Sequence, residues 1–147
     1  MITRRDLLVA ALSLSLTGAG LALAQSAAKP LMHSFVRPWA NLKATPTKQG
    51  ERRSVCDAPT PNLANLEGHI TTLNPGESPH LPHRHAEEEL MIIKEGTLEA
   101  LQGDVTNIVT AGDIVFEAAN ELHGLRNIGT NRATYYVFKF APHDLGK

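Results

Sequence analysis

His83 and His85, one residue apart, and Glu89 four residues further on are the side chains whose types and spacing could do chemistry. Along an extended segment successive side chains point to opposite faces, so an HxH pair sends both imidazoles to the same side. A carboxylate reached across a short turn onto the next strand can join them. Together they make an N,N,O ligand set suited to a divalent metal. A further candidate, His123, lies in GDIVFEAANELHGLRN (112–127), another short apolar segment of strand type punctuated by turns.

The two stretches resemble the paired motifs of the cupins. The first cupin motif runs Gly, five residues, HxH, three or four residues, Glu, six residues, Gly. It is matched by Gly76, His83, His85, Glu89 and Gly96, with a spacer of six residues before His83. The second is matched by Gly112, His123 and Asn127, with Ala118 in place of its Pro and Asn120 in place of its second Gly. Asn tolerates positive φ better than most residues, so Asn120 is expected to keep that turn. The resemblance covers roughly residues 60–140. It implies an all-β jelly roll, the double-stranded β-helix barrel, with one divalent ion on His83, His85, Glu89 and His123. The motif's spacing selects Glu89 over Glu87 and Glu88, which read as solvated turn residues. Asn127 in this family serves the turn and not the metal.

Three imidazoles and one carboxylate fill four positions of an octahedron and leave two for water, dioxygen or a chelating substrate. Open positions suit catalysis better than a structural cross-link. His80 and Glu77, in the loop ahead of the ligands, read as solvated residues, the alternative being acid–base groups that reach the mouth of the site, and Arg126, out of parity with His123, as a surface or dimer charge.

The elements that must position these groups are short strands. Residues 66–73 read as a strand ended by Asn74-Pro75-Gly76. Glu67, His69, Thr71 and Leu73 share one of its faces; if that face points inward, His69 and Thr71 line the pocket, and otherwise they are partly solvated. In the strand at 89–94, Met91 and Ile93 share parity with Glu89 and wall the site, while Leu90 and Ile92 pack on the other side. Residues 97–101 and 105–109 form a hairpin, segments at 114–116 and 123–128 bracket the second motif, and a last strand at 133–140 adds Phe138 to the apolar pocket wall. Residues 51–65 read as polar and turn-rich. Close-set strands, glycine punctuation and the lack of a helical pattern from residue 25 onward describe an all-β barrel or double sheet.

A chain of 147 residues is expected to hold one ordinary domain. Residues 1–24 carry Arg4-Arg5, an apolar run and a closing Ala22-Leu23-Ala24, which predicts a cleaved twin-arginine signal and a mature start at Gln25. Residues 25–50, with Pro30, Pro38 and Pro46, are expected to form an extended arm, and 51–147 the cupin domain. In cupins such an arm commonly pairs with a second subunit, so the resemblance implies a homodimer; a strand on its own barrel is the alternative. Losing Arg4, Arg5 and Asp6 turns the formal charge from −1 to −2, and no basic stripe is left to suit nucleic acid. After cleavage no stable membrane insertion is expected. Cys56 stands alone, so no internal disulfide can form.

The reading of function is an exported, periplasmic or secreted, metal-dependent oxidoreductase of the dioxygenase type, acting on a small oxygen-bearing molecule. The apolar wall suits an aromatic or enol-like ligand better than a sugar. The alternatives are a non-catalytic metal- or small-molecule-binding cupin, or a metal-dependent decarboxylase or isomerase. An N,N,N,O site filled in the periplasm tends towards copper or zinc. Twin-arginine export of an already folded protein would let the cytoplasm load it, which favours manganese or iron, with nickel, zinc or copper open.

Overall fold

A computed structural model describes residues 29–143. The expected signal and its cleavage point lie outside the described residues. Nine strands follow in order: β1 (Thr45–Thr47), β2 (Gly50–Ala58), β3 (Leu63–Leu73), β4 (Glu88–Glu95), β5 (Thr97–Gln102), β6 (Val105–Thr110), β7 (Ile114–Glu117), β8 (His123–Asn127) and β9 (Ala133–Pro142). All pairings are antiparallel and build two sheets, β1-β2-β3-β9-β4-β7 and β6-β5-β8. Among the described residues the helical content is a single 3-10 turn at Trp39–Asn41.

Alternation decides what lies between the sheets. Met91, Ile93, Val115, Tyr135 and Val137 from the larger sheet meet Leu98, Ala100, Val109 and Leu125, and all are buried. The register stacks the interior of the larger sheet in rows. One row is Thr71, Tyr135 and Ile93; the next is His69, Val137, Met91 and Val115; the third is Glu67, Lys139, Glu89 and Glu117. The barrel is therefore apolar at depth and charged at one end.

Two expectations need correction. Residues 51–65 are not a turn-rich stretch, since most of them belong to β2 and β3. β2 is rich in charge, but Arg52 points inward to an ion pair with Glu67, and Arg53 pairs with Glu51. The HxH segment is not a regular strand either: only His83 bridges, to His123.

The arm lies on its own barrel. Lys29 pairs with Asp57, and the Met32 amide donates to the Pro59 carbonyl at 2.8 Å. The Trp39 ring takes Lys94 of β4 at 4.0 Å and Arg53 of β2 at 5.1 Å from its centroid, so the arm crosses the outer face of the larger sheet.

Candidate metal centre

Backbone hydrogen bonds bring the two motif segments side by side. His83 and His123 exchange both amide-to-carbonyl bonds at 3.0 Å, and the Asn120 amide donates to the His85 carbonyl at 2.7 Å. Asn120 sits at φ 63, the left-handed turn expected of it. Arg84 donates to the Asn120 carbonyl at 2.8 Å. Further along, Gly76 and Asn127 are tied by the Gly76 amide on the Asn127 carbonyl at 2.9 Å. Asn127 is fully buried, and its side-chain amide donates to the Leu73 and Asn131 carbonyls while its oxygen accepts from the Gly129 amide. It serves the turn.

One ring nitrogen each of His83, His85 and His123 lies within 4.8 Å of the others. The His85 and His123 Nδ1 atoms sit 2.9 Å from the Glu87 and Glu121 carbonyls. A carbonyl only accepts, so Nδ1 carries the proton and Nε2 is left with its lone pair. His85 Nε2, His123 Nε2 and His83 Nδ1 are all buried without a hydrogen-bond partner among the described residues. Three buried, unsatisfied nitrogens in one place are costly unless a cation collects them. The residues fit a metal ion. Burial lowers the pKa of His83 and His123, with the neighbouring imidazoles adding to it, and so favours the neutral form that binds metal.

Glu89 stands beside this cluster and not within it. Its Oε2 is 3.3 Å from His85 Nε2 and 3.3 Å from Lys139 Nζ. Glu87 approaches the other nitrogen of His85, at 3.4 Å from Nδ1.

A cavity of about 300 Å³ opens between the cluster and the larger sheet. His69, Thr71 and Met91 line it, as do His123 and Glu89. Ile93 and Phe138 do not. Ile93 keeps the expected inward face but lies a row deeper, beside Tyr135 in the core. Phe138 is out of parity with Val137 and faces outward, where its ring would meet a Cβ added at Gly68 at 3.4 Å. His80 is exposed and also lines the cavity, as its alternative reading had it, with its ring 4.1 Å from that of His83.

The charged lining went unassigned in the sequence: Arg52, Glu67 and Lys139 face the cavity, and Glu117 lies next to Glu89 across β4 and β7. Parity shows that Lys139 shares a face with Val137. Only long-range register shows that this face meets Glu67 and Glu89. Glu117 is 1% exposed, and neither carboxylate oxygen has a hydrogen-bond partner among the described residues. Burial pushes its pKa up to about 7, with the nearby Glu89 charge adding to the rise. Burial also pushes His69 down to about 4, and the Arg52 charge reinforces it.

Residues 69–139, which span both motifs and the rows between them, match the cupin domain family. The barrel has the cupin jelly-roll fold. No curated protein matches the chain significantly. Among solved structures the chain is similar to KdgF from Halomonas sp., at 17% identity over 78% of this chain and 100% of that one, with a TM-score of 0.61. It is similar to the polyketide cyclase RemF from Streptomyces resistomycificus at 20% identity, over 77% of this chain and 82% of that one, with a TM-score of 0.60. A predicted oxalate decarboxylase from Thermotoga maritima is 18% identical over 73% of this chain and 99% of that one, with a TM-score of 0.58. At these identities what the chain shares with them is the fold.

Proposed function

We propose that this cupin is an exported metalloenzyme. In this reading His83, His85, Glu89 and His123 hold one divalent ion, manganese or iron, and the protein is an oxidoreductase of the dioxygenase type acting on a small oxygen-bearing molecule. The observation that carries the metal reading is the set of three buried imidazole nitrogens without a partner among the described residues, of which His123 lines the cavity. An ion held there by these residues would supply a Lewis-acidic, redox-capable centre.

The chain's own groups do the rest. The Glu87 and Glu121 carbonyls fix the His85 and His123 rings, so the ligand lone pairs are aimed before anything binds. Met91, Leu125 and Val137 keep the inner wall dry. His69, neutral at physiological pH because its pKa lies at about 4, offers the cavity a hydrogen-bonding imidazole without adding charge. Export by the twin-arginine route rests on Arg4-Arg5 and the apolar run behind them. A homodimer through the outer faces of β4 and β7 is supported by Ile92, Ile114 and Phe116, which are 36%, 66% and 49% exposed in one cross-strand cluster.

The test is elemental analysis of protein purified through its own export route without added metal or chelator, followed by oxygen uptake with small enolisable molecules. Near-stoichiometric iron or manganese together with oxygen consumption is the expected result. Protein that never holds a metal would sink the reading. A loaded protein that takes up no oxygen would turn it to a non-catalytic binding cupin or a metal-dependent decarboxylase or isomerase.

A further inference from the structure

We propose that Lys139 is the residue by which this cupin selects its substrate, and that the cavity takes a small carboxylate carrying a second oxygen donor, such as a dicarboxylate or a 2-oxo acid. The inference rests on the metal reading above and goes beyond it to the class of molecule bound.

Every acidic group lining the cavity already has a basic partner. Glu51 is held by Arg53 and Arg132, Glu67 by Arg52, and Glu89 by Lys139. The cavity is therefore close to neutral on its own. A divalent ion on neutral imidazoles adds two positive charges. The one further buried carboxylate beside it, Glu117, removes at most one of them. Positive charge in excess in a half-enclosed site is unfavourable until an anion balances it. The ligand that completes the site is an anion.

Geometry then singles out Lys139. It stands in register between Glu67 and Glu89, and because Glu67 is engaged by Arg52, its own partner is Glu89 at 3.3 Å. In the metal reading that is the carboxylate that would join the three imidazoles on the ion. Once Glu89 shares its charge with the metal, Lys139 is the cavity cation whose counter-charge has been weakened. Its side chain is 25% exposed and lines the cavity. An ammonium is a compact point charge that suits a carboxylate oxygen from several directions. A ligand with one oxygen donor at the metal and a carboxylate on Lys139 satisfies both. Length is limited below by Tyr135, Val137 and Leu125, and a volume of about 300 Å³ is at the small end for ligand pockets.

The experiment compares malonate with malonamide, its uncharged diamide, by calorimetric titration of manganese-loaded protein whose metal content has been measured first. Lys139→Met removes the charge and keeps the length; Lys139→Arg keeps the charge. Malonate is expected to bind the loaded wild type at least about ten-fold more tightly than malonamide, and Lys139→Met to lose about ten-fold in malonate affinity at unchanged metal content. Lys139→Arg is expected to recover most of that loss. Equal binding of the two probes, or undiminished malonate affinity in a fully loaded Lys139→Met protein, overturns the proposal and leaves the metal reading standing. A wild type that takes up no manganese overturns both.

Discussion

His69 on β3 and Glu117 on β7 face the same interior, and burial acts on their ionisation with opposite consequences for stability. His69 has a folded pKa of about 4 against an ordinary 6.5, so the unfolded chain binds the extra proton. Stability of the metal-free protein is therefore lost as pH falls from 6.5 to 4, by about 3 kcal/mol in full. Glu117 has a folded pKa of about 7 against an ordinary 4.5, so the folded protein keeps a proton that the unfolded chain gives up. Its penalty grows as pH rises from 4.5 to 7 and reaches about 3 kcal/mol. Glu117→Gln should therefore raise the urea-denaturation stability of metal-free protein by roughly 3 kcal/mol more at pH 8 than at pH 4. The same gain at both pH values would show that Glu117 does not titrate in this range. Ligand and scaffold residues should separate as cleanly. His123→Ala should abolish stoichiometric metal, and with it the rise in melting temperature on loading, while leaving a folded metal-free barrel. Asn127→Ala, which strands two carbonyls and an amide, should cost about 3 kcal/mol with or without metal.

At the scale of the strand, alternation was legible and register was not. Period two places Glu67, His69 and Thr71 together, and Met91 with Glu89, because it depends only on neighbours in sequence. That Lys139 falls between Glu67 and Glu89 depends on three strands far apart in the chain meeting in one alignment, and no local pattern encodes it. β2 was illegible for a related reason. Arg52, Arg53, Ser54 and Asp57 have little strand preference of their own, and the segment is held by pairing with β3 and by ion pairs across it. The histidine cluster was readable because a motif of fixed spacing records the same three-dimensional arrangement. Gly96, which ends the first motif, shows what such spacing protects. It turns at φ 95 between β4 and β5, and a Cβ there would lie 2.6 Å from the Ala133 Cα. Gly96→Ala should destabilise the barrel by about 3 kcal/mol or more, measured by chemical denaturation; a loss below about 1 kcal/mol would mean that β9 yields readily at Ala133.

For the whole molecule, the two ends of the larger sheet differ in kind. The arm covers the outer face from β2 across to β4, and beyond it Ile92, Ile114 and Phe116 stand uncovered. If a second copy covers them, the double variant Ile114→Lys, Phe116→Glu should sediment as a monomer while wild type sediments at twice that mass; identical sedimentation would remove this face as the interface. The bond pair between His83 and His123 has a different bearing. It is a backbone seam, joining the loop that carries two of the imidazoles to the strand that carries the third. An ion held by those rings would also press the seam shut, and occupancy of the centre and local opening of the barrel would become one equilibrium. The amide protons of residues 83 and 123 would then exchange with deuterium more slowly on loading, while those in the β3–β9 ladder keep their rates. Two backbone amides would thereby act as a clock for metal occupancy, readable before any substrate is known.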